Sequence, residues 1–167
     1  FINYLFSKTE NNGYSVNDLI INKENLSYKL LHSNTHPNFF LLENNNFEKD
    51  VKIQQVQSLL KFLTKTTYSK DLKIVMIDNI ENFNLNSANA LLKSLEEPRD
   101  NTFFFIIHNN KHQILSTIKS RCIEFKIFFS EMNKKNIFKQ ITQQYDGEFK
   151  SNDLSRDFYF ETPGNLI

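Results

Sequence analysis

The sequence predicts an α/β protein: a parallel sheet with flanking helices, followed by the start of a small all-helical domain. Three observations predict it. The runs Asn38–Glu43 (NFFLLE), Lys73–Asp78 (KIVMID) and Thr102–Ile107 (TFFFII) are continuously apolar rather than alternating, the pattern of strands covered on both faces. Between them, apolar residues fall at helical spacing, first Val56, Leu59, Leu60 and Leu63, then Ala88, Leu91, Leu92 and Leu95. Strands that alternate with such helices need crossover connections, which are right-handed and make the strands parallel.

Taken in order, Ile2, Leu5 and Phe6 place a helix over Phe1–Lys8. The chain opens inside that helix without an initiator Met, so it is expected to be a piece of a longer protein. After the polar turn Thr9–Gly13, Ser15 or Asn17 is expected to cap a short helix bearing Leu19, Ile20 and Ile21. A second helix, Glu24–Leu31, carries Leu26, Leu30 and Leu31 on one side, before the turn Ser33–Pro37. Asp50 is the expected N-cap of the helix containing Val56, and Asn86 or Ser87 opens the central helix, with Pro98 just past its end. Gln113–Lys119 reads as a short helix and Cys122–Phe128 as a fourth strand, with Ile123, Phe125 and Ile127 alternating. From Ser130 the pattern turns helical through Met132, Ile137, Phe138 and Ile141, then Asp153–Phe160, then the turn Thr162-Pro163-Gly164. The expected domains are therefore 1–129 and 130–167.

Composition narrows the function classes. The 167 residues are 40% hydrophobic and include 17 Phe against three Gly and three Pro, which suits a packed core and not a disordered chain. A net charge of +1 gives no global field toward DNA or an anionic membrane. No apolar run reaches the roughly 18 residues of a membrane span, so no membrane association is expected. Cys122 is the sole cysteine, which excludes an internal disulfide and a cysteine-based zinc module, and suits a reducing, cytoplasmic setting. His32, His36, His108 and His112 lack metal-ligand spacing with any Cys, so no metal site is expected.

The candidate chemistry lies at two places. In open parallel sheets, ligands gather at the carboxyl ends of strands. Asp78 ends one strand there, which suits either an oxygen ligand to Mg²⁺ or an ordinary turn residue. A phosphate cradle of the form GxxxxGK[ST] is absent, because Gly13, Gly147 and Gly164 are far apart. Arg121, in the tripeptide Ser120-Arg121-Cys122, could stabilise phosphoryl charge on a neighbouring subunit as an arginine finger, or sit in a surface ion pair. Cys122 itself reads as a small core residue. The adjacent Glu96 and Glu97 diverge by about 100° around their helix and read as a solvated helix end.

The order Asp78, then SANALLKSLEEP over Ser87–Pro98, then the strand Thr102–Ile107, then Ser120-Arg121-Cys122 resembles the clamp-loader branch of the AAA+ proteins. Within that branch it is most similar to the delta-prime family of the bacterial DNA polymerase III clamp loader, over roughly Ser33–Phe128. The His36-Pro37-Asn38 turn is similar as well. The resemblance implies an AAA+ P-loop-type sheet whose first strand and P-loop precede this stretch, and a lid domain beginning near its end. It makes the Asp78 strand the Walker B strand, where ATPase members follow the Asp with a Glu and this chain has Asn79. It places the sensor 1 position at His108 or Asn109, and puts Asn165 where sensor 2 carries an Arg. These departures imply a subunit that binds no cofactor of its own, while Arg121, supported by Ser120 and Cys122, acts on ATP and Mg²⁺ held by a neighbour. The implied partners are gamma/tau and delta subunits in a hetero-pentamer, the sliding clamp, and primer-template DNA through the complex. The rival implications are a gamma/tau-type ATPase whose P-loop lies outside this stretch, and an AAA+-like interaction module with no finger.

Overall fold

The computed structural model describes residues 1–17, 20–43, 51–65, 72–109, 112–128, 130 and 132–137. It divides into two compact units, Phe1–Ile123 and Glu124–Ile167. In the second, residues 132–137 are helical, and the expected helix over Asp153–Phe160 and the turn at Thr162 lie outside the described residues, as does Asn165.

The first unit has the predicted class. Its elements are α1 (Ile2–Ser7), α2 (Leu26–His32), β1 (Phe39–Leu42), α3 (Ile53–Thr64), β2 (Lys73–Ile77), α4 (Leu85–Glu96), β3 (Thr102–Ile106) and α5 (Ser116–Lys119), with a 3₁₀ turn over Ile80–Asn82. The three strands form one parallel sheet in the order β1-β2-β3, with Phe39 opposite Ile74 and Lys73 opposite Thr102. Ile74, Val75 and Ile77 of the middle strand are fully buried, as the continuous apolar run requires of a strand covered on both sides. Val56, Leu59, Phe62 and Leu63 of α3 and Ala88 and Leu91 of α4 close the core, joined by Ile118 of α5.

Polar contacts of Asn84, Ser87 and Lys73 hold this layering. Asn84, not Asn86 or Ser87, caps α4, its Oδ1 accepting from the Ser87 N–H at 2.8 Å. Ser87 points inward instead, and its hydroxyl donates to the Val51 carbonyl at 3.1 Å, fixing the segment before α3 to the first turn of α4. Lys73 is buried at the start of β2, where its Nζ donates to the Phe62 carbonyl at 3.0 Å and to that of Lys65. It thereby adds a charged donor at the C-terminus of α3, where the Phe62 carbonyl also accepts from the Lys65 N–H at 3.2 Å. Burial, with Arg99 and Lys65 nearby, holds its ammonium below the usual lysine range.

Near the N-terminus, the Glu10 carboxylate accepts from Asn25 Nδ2 (2.8 Å), Ser27 Oγ (2.6 Å) and the Ser27 N–H (3.3 Å). It thus binds the first turn of α2, whose N-cap is Asn25. Leu26 is exposed there, contrary to its expected place on the buried side, because Asn25 and Ser27 take the inward positions.

Several other expectations are corrected. Leu19 lies outside the described residues; among the described ones, Ser15 and Ile20 make an antiparallel bridge and are not helical. The helix expected over Gln113–Lys119 is confined to Ser116–Lys119, and Asp50, the expected cap of α3, lies outside the described residues. The fourth strand is absent: residues 123–128 form no regular secondary structure, and Ile123, Phe125, Ile127 and Phe128 are exposed. Alternation shows that a segment can pair, but a strand exists only where a ladder forms. Cys122 is exposed, not a core residue, because it sits in the turn after α5 rather than in a buried strand.

Candidate functional site

The carboxyl ends of the strands collect the first group of candidates. Asp78 follows β2 directly, its N–H donating to the Leu42 carbonyl at 2.9 Å, so it sits at the end of the middle strand. Its side chain is half-buried, and burial pushes the carboxyl above the usual range. A hydrogen bond from the Asn79 N–H opposes this, while Glu43 and Glu81 add to it. Asn79 adopts the left-handed conformation, φ 55° and ψ 55°, and starts the 3₁₀ turn that leads to α4. Asparagine tolerates that conformation with little strain.

The same turn presents Glu81, which the sequence did not single out. Its Oε1 accepts from the Asn109 N–H at 3.1 Å, tying the loop after β2 to the loop after β3. The Ile80 N–H donates to the Ile107 carbonyl at 3.2 Å, a second tie between those loops. The structure therefore brings Asp78, Asn79, His108 and Asn109 to one end of the sheet. At position 79 stands a neutral amide, which cannot take a proton from water. Among the described residues, no group of three His, Cys, Asp or Glu side chains is arranged to hold a metal ion.

Arg121 forms the second group. The last turn of α5 ends on Ser120, whose N–H donates to the Ser116 carbonyl, and the Arg121 N–H donates to that of Ile118. Each of the three guanidinium nitrogens donates within the chain. Nε donates to Glu96 Oε1 at 2.7 Å, Nη2 donates to the same oxygen, and Nη1 donates to the Thr117 carbonyl at 2.7 Å and Ser120 Oγ at 3.2 Å. Ser120 thus supports the arginine directly, whereas no contact of this kind involves Cys122 among the described residues. Glu96, read from the sequence as part of a solvated helix end, instead pairs with Arg121. It lies 25 positions from Arg121 and meets it only because α5 packs on the end of α4. The pair lies at the surface, with side-chain exposures of 29% for Arg121 and 47% for Glu96.

Comparison with known proteins gives this arrangement a class and then a family. The solved structure of a DNA polymerase III gamma subunit-related protein from Thermotoga maritima superposes with a TM-score of 0.53 over 62% of this chain and 34% of that one. At 22% identity the likeness establishes the fold alone, a parallel α/β sheet with flanking helices. The family model described as "DNA polymerase III, delta subunit" matches residues 4–130, and the chain belongs to that family. Within it the chain is delta-prime-like. It is 42% identical to the DNA polymerase III subunit delta' of Pseudomonas aeruginosa over 96 residues, 58% of this chain and 29% of the relative. It is 34% identical to that of Haemophilus influenzae, over 58% of this chain and 29% of the relative. A gamma subunit, from Buchnera aphidicola, is 31% identical over 59% of this chain and 27% of the relative. The matched stretch spans about three tenths of the length of these curated relatives. Among the described residues, no helix is long and apolar enough to cross a membrane.

Proposed function

We propose that this chain is the delta-prime member of a bacterial DNA polymerase III clamp loader, and that it hydrolyses no ATP itself. Its chemical contribution is Arg121, given in trans to ATP and Mg²⁺ on an adjacent gamma/tau subunit. The partners in this reading are gamma/tau and delta subunits in a cytoplasmic hetero-pentamer, with the sliding clamp and primer-template DNA met through the complex. In this reading residues 1–129 are the AAA+ core and residues 130–167 begin the lid.

One observation carries the reading: the guanidinium of Arg121 stands at the protein surface at the end of α5, in the Ser-Arg-Cys position, and its ion pair is of the exposed kind. Exposed pairs contribute about 0–1 kcal/mol, so this one is readily exchanged for a phosphate group. Asn79, in the place where the ATPase members carry Glu, supports inertness; Glu81, two positions further on, accepts from the Asn109 N–H through Oε1. The resemblance to a gamma subunit keeps an ATPase in view, but Asn79 favours the inert reading.

The test is Arg121→Ala in the full-length protein, assembled with its partners. Clamp-stimulated ATP turnover at the adjacent gamma/tau site is expected to fall by about 10³- to 10⁵-fold, the range for fingers that act on the transition state. Wild-type turnover in the assembled variant would end the finger reading.

A further inference from the structure

The finger reading leaves one group unexplained, the carboxylate of Glu96. A guanidinium has five N–H donors, one on Nε and two on each terminal nitrogen. In this structure Nε and Nη2 each donate to Glu96 Oε1, and Nη1 donates to both the Thr117 carbonyl and Ser120 Oγ. Four donors are therefore in use, and a single hydrogen on Nη2 is left over. A two-pronged grip on phosphate oxygens needs two. Arg121 as it stands cannot make that grip without releasing a bond.

The bond that gives way is set by which partners travel with the arginine. Thr117 and Ser120 belong to α5 and the turn that carries Arg121, so they move with it. Glu96 belongs to the last turn of α4, and its side chain is nearly half exposed. It offers one negative charge through a single oxygen, where a triphosphate offers several charges and many oxygens.

We propose that Glu96 is a positioning residue that parks Arg121 against α4 in the free subunit, and that a nucleoside triphosphate on a neighbour releases it by competing for the guanidinium. This rests on the reading of Arg121 as a finger acting in trans. The parked state keeps the cation from other anions and makes arrival of the neighbour's nucleotide the event that frees it. Only the released fraction is competent, so parking lowers the apparent affinity of the assembled site for ATP without altering the chemical step.

The test uses Glu96→Gln in the full-length protein, which keeps the size and removes the charge. In the isolated protein, an arginine-directed dicarbonyl reagent should modify Arg121 about two- to five-fold faster than in wild type, the factor expected for losing an exposed ion pair. In the assembled complex, KM for ATP should fall by a similar factor while kcat is unchanged. Equal modification rates, or a fall in kcat, would overturn the proposal, the latter by making Glu96 a support of the extended finger. The readout on the isolated protein is independent of turnover. Failure of the finger reading itself would show separately, as wild-type turnover in Arg121→Ala.

Discussion

Asparagine carries the left-handed backbone of this chain. Asn12, Asn34, Asn79 and Asn101 all have φ near 55°, and among the described residues no glycine has a positive φ. The abundance of Asn beside three Gly thus has a structural use at Asn79, where it turns the chain directly after Asp78 without a glycine. Asp78 makes the cost of that site measurable. Its carboxyl is raised above 3.8, so the folded state holds the proton more tightly than the unfolded state. Its contribution to stability is therefore fully present below pH 3.8 and is lost as pH rises through the folded value, leaving a charged, half-buried carboxylate at neutral pH. Asp78→Asn is expected to raise Tm at pH 7 and to flatten the decline of stability just above pH 4, read by thermal unfolding at both values. A variant less stable than wild type at pH 7 would contradict this. The Asp was legible as the end of a buried strand. Its carboxylate neighbours were not, because Glu43 and Glu81 come from different loops and the fold alone brings them near.

At the scale of elements, the helix stripes and the strand positions were readable from local spacing, but burial on both faces holds only for the middle strand: β1 buries Leu42 alone and Phe103 of β3 is exposed. Val56, Leu59 and Leu63 are buried on α3 and Ala88 and Leu91 on α4, as their spacing requires, with Leu60, Leu92 and Leu95 partly buried beside them. The errors fall where an element depends on something distant. Three polar residues near the start of α4 compete as caps, and Asn84 wins because Ser87 is taken inward to the Val51 carbonyl, 36 positions away. Residues 123–128 have the alternation of a strand and lack the ladder that would make one. Ser87→Ala tests the first point: it leaves the Val51 carbonyl without its buried donor and is expected to lower stability by about 1–3 kcal/mol in denaturant unfolding. A loss below a few tenths would mean that the hydroxyl does not join the two elements.

For the whole molecule, the family was legible in the order of Asp78, the α4 sequence and Ser120-Arg121-Cys122, and its model matches residues 4–130. What the residues alone left open was whether Arg121 works or merely pairs, and the structure contains the pair, with Glu96. The two roles are compatible because the pair is exposed and the proposed work takes place only in the assembly. A comparison of Arg121→Lys with Arg121→Ala in the full-length, assembled protein tests this central claim most directly, through the separate effects on kcat and KM. Lysine keeps the charge but loses the planar fork. The account predicts that kcat collapses in both variants, with lysine recovering a small part of it, while KM for ATP changes far less. Wild-type kcat in either variant would contradict it.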